Sequence, residues 1–152
     1  MYKYASIIPL IGGETIAMEK VFGKRPEYIL SYSGFKFNDS QLLNHYNHEV
    51  DVVNSVCPCA GLSTLSPTAS SDNHNNDWMI ESSKYVLSLI KPKVLWGENS
   101  PHLAGNMGKP VVAKLRKLAE EFGYTFTVYK TKSTLHGLGQ VRNRSFYFFW
   151  ND

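Results

Sequence analysis

Short apolar runs alternate with segments of helical periodicity, and this order restricts the possible folds more than any other feature of the sequence. The composition and periodicity of the apolar runs predict strands at residues 4–11, 28–32, 50–56, 93–96, 125–129 and 145–150. Helices are predicted between them at residues 14–22, 38–46, 77–90 and 109–122. Such alternation favours a mostly parallel sheet with helices on both faces. We therefore predict an α/β fold, with residues 1–152 forming a single domain.

The composition is that of a folded globular protein, with 43% hydrophobic and 19% charged residues. The apolar runs are too short to span a bilayer, and the N-terminus lacks the pattern of a signal peptide. The net charge of +3 permits a nucleic-acid partner without requiring one. We accordingly expect no membrane association.

The only two cysteines, Cys57 and Cys59, flank a single proline. A disulfide between them would close a very small strained ring, so we expect free thiols in a reducing, cytoplasmic compartment. The second ligand pair that a zinc site requires is missing from the sequence, so we predict no metal.

Several residues that could bind a ligand or react with it lie just after predicted strands. Gly12 and Gly13 follow the first strand, Cys59 follows the third, and Glu98 follows the fourth. Ligands of α/β proteins bind beyond the carboxyl ends of parallel strands. A long polar stretch at residues 63–76 has no apolar period and predicts an exposed loop, which in a compact domain is often functional. We therefore place the active site at this edge of the sheet.

Three short motifs carry the candidate chemistry. Residues 57–63 (CPCAGLS) hold a cysteine rigidly after a proline, where a thiolate could act as a nucleophile. Residues 97–101 (GENSP) place a carboxylate at a strand end, and residues 140–144 (QVRNR) carry alternating arginines that would share one face of a strand. Each motif also has a structural interpretation. The cysteine could be buried and inert, the glutamate solvated, and the arginines an exposed charged edge.

Together, the order and approximate spacing of the three motifs resemble those of the cytosine-C5 methyltransferase family. That family has Pro-Cys followed by a small residue, a hydrophobe and Ser, then Glu-Asn, and then Gln-x-Arg-x-Arg. Residues 90–95 (IKPKVL) and the glycine pair followed by residues 18–20 (MEK) are similar as well. The resemblance covers nearly the whole chain. It implies a Rossmann-like fold of the class I methyltransferase type.

The resemblance also implies a catalytic set. Cys59 is expected to add to C6 of cytosine and make C5 nucleophilic, while Glu98 holds N3 and the exocyclic amino group. Arg142 and Arg144 are expected to contact the flipped nucleotide, its phosphate or the catalytic carboxylate. In a site that closes over a base, Glu98 should have a raised pKa. Cys57, which lies where the family usually has proline, is expected to be a packing residue.

The cofactor and substrate follow from the same resemblance. S-adenosylmethionine is the implied methyl donor, held by Gly12, Gly13, Pro58 and Asn99, the last of which also braces the loop. The implied substrate is DNA, contacted by Ser63, Gln140 and Arg142. Because the target atom is inaccessible inside a duplex, the base must be extruded, and residues 62–76 are expected to cover it.

Some family features are missing from the sequence. Leu10 stands where a glycine normally lets the cofactor approach the backbone, and residues 31–34 (SYSG) lack the acid that would bind the ribose. We also expect the target-recognition domain to be absent, so that a second subunit could supply it. Leu10 and the missing ribose-binding acid are expected to weaken the binding of S-adenosylmethionine.

Three alternatives remain open at this point. The chain could be a non-enzymatic relative that binds DNA or a partner protein, and the altered cofactor loop favours this interpretation. It could methylate a splayed base in RNA. It could also attach a group other than methyl to C5, using a different donor.

Overall fold

The computed structural model describes residues 1–8, 13–30, 49–59, 61–62 and 67–151. The strands are β1 (Tyr4–Ile7), β2 (Ile29–Leu30), β3 (Val52–Val56), β4 (Val94–Asn99), β5 (Thr125–Lys132) and β6 (Asn143–Trp150). The α-helices are α1 (Gly13–Phe22), α2 (Asp77–Tyr85) and α3 (Lys109–Phe122). Short 3-10 turns lie at His74–Asn76, Pro101–Ala104 and Ser133–His136.

The six strands form one sheet in the order β2-β1-β3-β4-β6-β5. β1 pairs in parallel with β2 and β3, and β3 pairs in parallel with β4, which confirms the mostly parallel sheet. β6 runs antiparallel to both β4 and β5. This antiparallel strand was not predicted. It arises because β5 and β6 are joined by a short connection, and only antiparallel neighbours can be joined that way.

Helices cover both faces of the sheet, as predicted. On one face, the Thr15 hydroxyl of α1 donates to Ser6 Oγ at 2.9 Å, and Ser6 Oγ donates to Asn54 Oδ1 at 2.7 Å. On the other face, Ser82 Oγ of α2 lies 3.4 Å from Cys57 Sγ. Because side chains alternate along a strand, Asn54 and Cys57 must point to opposite faces.

The helix boundaries follow from local backbone chemistry. Gly23 adopts φ +68° and donates its N–H to Glu19 O, which ends α1 at the predicted place. The predicted helix at 77–90 is α-helical only to Tyr85 and continues as a π-helical turn, Val86–Ile90. Lys91 closes that turn with φ +52°, because Pro92 disfavours a right-handed helical conformation in the residue before it.

α3 is the amphipathic helix that the sequence predicts. Val111, Leu115, Leu118 and Ala119 form its buried stripe, and Val112 and Phe122 pack at the edge of the core. Gly123 ends the helix with φ +77°.

Several strands differ in length from their predictions. β3 begins at Val52 instead of residue 50, and β4 extends to Asn99, so Glu98 lies within the strand and not after it. β1 stops at Ile7 because Ile8 takes a left-handed conformation (φ +51°), which extended pairing cannot continue. β5 and β6 are longer than predicted, since their antiparallel register runs from Thr125 opposite Trp150 to Lys132 opposite Asn143. The predicted helix at 38–46, the end of the predicted strand at 28–32 and residues 9–11 of the first predicted strand lie outside the described residues.

None of the helices in the described part of the chain is long and apolar enough to cross a membrane. Within the same residues, no three His, Cys, Asp or Glu side chains lie close enough together to hold a metal ion.

The packing of α3 leads to a stability prediction. Leu115 is fully buried, so Leu115→Ala should lower the free energy of unfolding by about 2–5 kcal/mol, from lost transfer energy and the cavity left behind. Lys114→Ala, one residue earlier on the exposed side of the helix, should change it by less than about 0.5 kcal/mol. Urea unfolding followed by circular dichroism measures both. Equal losses would show that α3 does not pack as described.

Candidate active site

The strand register brings the cysteine motif and the glutamate motif to one edge of the sheet. Val56, the last residue of β3, lies opposite Glu98 of β4. Cys59 follows Val56 by three residues, so its loop leaves the sheet beside Glu98. Cys59 is exposed, whereas Cys57 is buried. The thiol on the loop is therefore the one that a ligand can reach.

Hydrogen bonds connect this loop to the end of β4. The backbone N–H of Leu62 donates to Cys59 O at 3.0 Å, which closes a turn that begins at the cysteine. Ser100 Oγ donates to Leu62 O at 3.0 Å, and the Ser100 N–H donates to Asn99 Oδ1 at 2.8 Å. Asn99 is buried. Asn99 thus acts on the cysteine loop through Ser100.

The polar stretch after the loop folds back onto it. The Ser70 N–H donates to Gly61 O at 2.9 Å, and Asn76 Nδ2 donates to Ser70 O at 2.9 Å. A Cβ at Gly61 would overlap the Asn76 side-chain amide, so residue 61 must be glycine for this close approach. Asn76 is itself buried, so the predicted exposed loop ends in a packed anchor.

Glu98 forms an ion pair with Arg144. Glu98 Oε2 lies 3.4 Å from Arg144 Nε, and the two side chains are 17% and 27% exposed. Oε2 has no hydrogen-bond donor among the described residues, so the contact is electrostatic attraction without a hydrogen bond. Burial raises the pKa of Glu98 above its ordinary value of 4.5, the nearby Glu14 raises it further, and Arg144 and Arg142 oppose the rise. The expected direction of the shift is confirmed.

A cavity of about 320 Å³ lies in front of this pair. Its volume is at the lower end of the ~300–1,000 Å³ typical of ligand pockets. Its lining residues come from α1, β4 and the β5–β6 hairpin: Glu14, Glu98, Thr131, Ser133, His136, Leu138, Arg142, Arg144 and Phe146. The cavity combines two carboxylates and two guanidinium groups with an apolar wall. Such a site can bind a planar polar ring or a zwitterion.

The structure brings together some of the predicted site residues. Glu98, Arg142 and Arg144 line one cavity. Cys59 is not among the described lining residues and lies on the neighbouring loop. Pro58 is half-buried immediately before it, and Gly13 is exposed at the start of α1. Gly12 and Ser63 lie outside the described residues.

One prediction about the arginine motif is wrong. The two arginines were expected on one strand, but β6 begins at Asn143, so only Arg144 is in the strand. The Arg142 N–H donates to Ser133 Oγ at 2.8 Å, and Arg142 O accepts from the Ser133 N–H at 3.0 Å. Ser133 Oγ also donates to Gln140 O. Ser133 thus holds Arg142 in the turn that joins the strands, and strand pairing starts one residue later.

Several lining residues were missed by the sequence analysis. Glu14 resembles an ordinary acidic residue in the first turn of a helix, which the helix dipole favours anyway. Its position directly after the glycine pair was the available signal. Thr131, His136 and Leu138 reach the cavity only because the hairpin passes over it, and no local pattern reveals that.

A group of buried side chains, which we call the buried layer, packs next to the site around Cys57 and Tyr147. Cys57 Sγ lies 3.4 Å from both Ser55 Oγ and Ser82 Oγ, and burial raises the pKa of its thiol. A Cβ at Gly97 would overlap the Tyr147 ring and approach Ser55 O to 2.6 Å. Cys57 is 2% exposed, which confirms its predicted position in the core.

A family model described as C-5 cytosine-specific DNA methylase matches residues 27–151. The chain belongs to this family. The matched region includes Cys59, Glu98 and both arginines, and it begins after Gly12 and Gly13. A comparison with curated proteins finds no match.

Solved structures of methyltransferases share the fold. A prophage-encoded E. coli protein described as a DNA modification methyltransferase aligns with TM-score 0.73 and 16% identity, over 99% of this chain and 47% of its own. Spodoptera frugiperda DNMT2 aligns with TM-score 0.62, 12% identity and coverages of 99% and 50%. The Entamoeba histolytica methyltransferase EhMeth gives 0.61, 14%, 99% and 53%. The chain thus spans about half the length of these proteins.

The raised pKa of Glu98 should make folding stability depend on pH. The folded protein holds this proton more tightly than the unfolded chain, so the stabilising contribution is fully present below about pH 4.5 and is lost as pH rises through the folded pKa. Glu98→Gln has no such proton. Urea unfolding across pH should therefore show the wild type losing stability relative to Glu98→Gln as pH increases above that value.

Glu19→Gln is the matched control, since Glu19 is exposed on α1 and should leave the pH profile unchanged. A wild-type advantage over Glu98→Gln that grows with pH would mean that Arg144 outweighs burial, contrary to the description above.

Proposed function

We propose that this chain is the catalytic part of a DNA cytosine-C5 methyltransferase, with Cys59 as the nucleophile. The observation that carries the proposal is the β3–β4 register, which places the Cys59 loop beside Glu98 and Arg144 in a chain of this family. Family membership supports a cytosine substrate. An intact cytosine site is supported by the shared cavity of Glu98, Arg142 and Arg144 and by the Cys59 loop next to it.

Cys59 suits the role of nucleophile better than Cys57. Its side chain is exposed on a loop at the ligand edge of the sheet. The Cys57 thiol is buried, and its raised pKa disfavours the thiolate that attacks. The Cys59 sulfur would add to C6, and electrons would shift toward C5. After C5 accepts the methyl group, loss of the C5 proton would restore the ring and expel the thiolate.

Glu98 is suited to hold the cytosine ring. A carboxyl group with a raised pKa is more often protonated, so it can donate a hydrogen bond to N3 while its other oxygen accepts from the exocyclic amino group. This interaction would stabilise the charge that develops on the ring when sulfur adds. Arg144 sits behind the carboxyl group at 3.4 Å and would keep it oriented. Arg142 is exposed and can reach a phosphate.

The described residues fit S-adenosylmethionine as the methyl donor. A Cβ added at Gly13 would meet no atom within 4 Å, so a ligand can approach this backbone closely. The adjacent Glu14 lines the cavity, and its carboxylate could attract the positively charged sulfonium or ammonium group of this molecule. Gly13 and Glu14 would hold it, with Gly12, Pro58 and Asn99 as further contacts implied by the family. When bound, it supplies the methyl group.

The target cytosine would be extruded from the duplex to reach Cys59. The polar loop that starts at Leu62 would cover it, anchored at its far end by the contact between Asn76 and Ser70. The loop is attached at both ends to groups near the site, because Leu62 O accepts from Ser100. Ser63 and Gln140 are proposed to contact the DNA on either side.

One observation favours a second candidate function, a family relative that binds DNA without transferring a methyl group. The family match begins at residue 27, after the glycine pair that would hold the cofactor.

The comparisons do not support the second subunit expected from the sequence, so it forms no part of the proposal.

Covalent trapping on duplex DNA containing 5-fluorocytosine, with S-adenosylmethionine present, tests the nucleophile. The fluorine blocks the final elimination, so an active enzyme stays attached. Cys59→Ser should abolish the adduct on a denaturing gel, because the attacking sulfur is gone. Cys57→Ser, its control, should retain it, provided circular dichroism shows that the buried layer still folds. An adduct that persists in Cys59→Ser but disappears in Cys57→Ser would reverse the assignment.

Glu98→Gln tests the role of the carboxyl group. The amide can still hydrogen-bond the ring but cannot supply a proton, so we expect the methylation rate to fall about 10²-fold or more. Glu19→Gln should retain the wild-type rate. Transfer of tritium from labelled S-adenosylmethionine to DNA measures both, and near wild-type activity in Glu98→Gln would remove this residue from the mechanism.

A further inference from the structure

The connection between β5 and β6, residues 133–142, is a hydrogen-bonded structure that we call the hairpin tip. Ser133 O accepts from the Leu138 N–H at 3.3 Å, and Thr131 Oγ1 lies 3.0 Å from His136 Nε2. Ser133 also joins Gln140 and Arg142 across the base of the tip, as described above. These bonds give the tip a defined shape.

Three aliphatic side chains project from this defined structure into solvent. Leu135, Val141 and Leu138 are 74%, 68% and 61% exposed. Single exposed aliphatic residues are ordinary, but three among the ten residues of the tip are a concentration of exposed apolar surface that is typical of binding surfaces. Holding them in water offers folding no benefit.

The surrounding charge indicates what kind of partner the patch suits. Residues 123–151 contain four basic residues, Lys130, Lys132, Arg142 and Arg144, and no Asp or Glu. Lys132 and Arg142 flank the tip directly, because Lys132 is the last residue of β5 and Arg142 immediately precedes β6. Both are exposed. A one-sign basic surface around an apolar centre complements a polyanion whose interior is apolar.

The tip also forms part of the cavity wall. Ser133, His136, Leu138 and Arg142 belong to the tip and line the cavity that contains Glu98. A nucleotide held by Glu98 would therefore have its neighbours in the strand close to the tip.

We propose that the hairpin tip docks onto the DNA duplex beside the target cytosine. Leu135, Val141 and Leu138 contact the base steps next to the extruded nucleotide, and Lys132 and Arg142 contact its flanking phosphates. Apolar side chains placed between base steps partly unstack them and favour distortion of the duplex. This inference rests on the proposed function for its substrate, and it assigns to the tip the contacts that hold the duplex open.

The test compares Leu135→Ser/Val141→Ser with Val21→Ser/Leu89→Ser, in which the exposed aliphatic residues are elsewhere (79% and 44% exposed). Neither pair lines the cavity. Anisotropy with a fluorescein-labelled duplex measures affinity, and 2-aminopurine next to the target cytosine reports unstacking. The tip variant should bind about tenfold more weakly, because apolar contact area is lost, and should lose the 2-aminopurine signal. The control variant should match the wild type.

A salt series separates the apolar contacts from the ionic ones. Leu135→Ser/Val141→Ser should keep the wild-type dependence of log K on log salt, whereas Lys132→Gln should reduce that slope by about 1. Tip variants that bind and unstack the duplex as the wild type does would overturn the proposal. So would a wild type that binds no duplex, or one that uses the tip only for RNA or single strands.

Covalent trapping, run on the same proteins, distinguishes the two proposals. If the wild type is trapped and the tip variant binds and reacts equally well, the function stands and the tip assignment fails. If duplex binding depends on the tip but no wild-type adduct forms, the docking surface stands and the methyltransferase proposal fails.

Discussion

β4 is the strand on which the rest of the site depends, because three consecutive residues at its end have three different functions. Gly97 leaves room for Tyr147 of the neighbouring strand. Glu98 points to the opposite face and provides one of the two carboxylates of the cavity. Asn99 accepts the Ser100 N–H, and Ser100 in turn holds the loop that carries Cys59. Since side chains alternate along a strand, the tight packing at 97 orients the carboxylate at 98.

Two opposing effects act on the Glu98 carboxylate in the cavity. Burial disfavours its charged form, and attraction to the Arg144 guanidinium favours it. A partly buried carboxylate loses hydration, and the guanidinium of Arg144 returns only part of that loss at 3.4 Å. Glu14 adds a second negative charge. The net result is that the pKa of Glu98 is raised. The higher pKa favours the protonated carboxyl group, which can both donate and accept hydrogen bonds. A fully paired carboxylate would be more stable but could not donate, so the incomplete pairing suits recognition of a neutral ring.

Much of the fold could be predicted because periodicity and turn residues act locally. The stripe of α3 and the stop at Gly23 are examples. The conversion of α2 to a π-helical turn, the left-handed Ile8 and the antiparallel β6 could not be predicted in this way. Left-handed Ile8 is a conformation that few β-branched residues adopt. The antiparallel β6 follows from the short connection after β5, which the sequence analysis did not recognise as a hairpin.

The site was predictable to the extent that its residues lie in short motifs next to strand ends. Cys59 and Glu98 could be placed at one edge because the carboxyl ends of parallel strands meet there, whereas Arg142 and Arg144 were assigned to the site by the family resemblance. They reach the cavity because β6 runs antiparallel to β4. Glu14, His136 and Leu138 could not be predicted, since they reach the cavity through the approach of α1 and the path of the hairpin. The β5–β6 hairpin determines both a wall of the cavity and the position of the exposed turn. Its long antiparallel register carries Thr131 and Arg144 to the cavity as an opposed pair, and the same register projects the turn beyond the sheet. A wall of the cavity and an exposed basic turn are therefore consequences of one strand pairing.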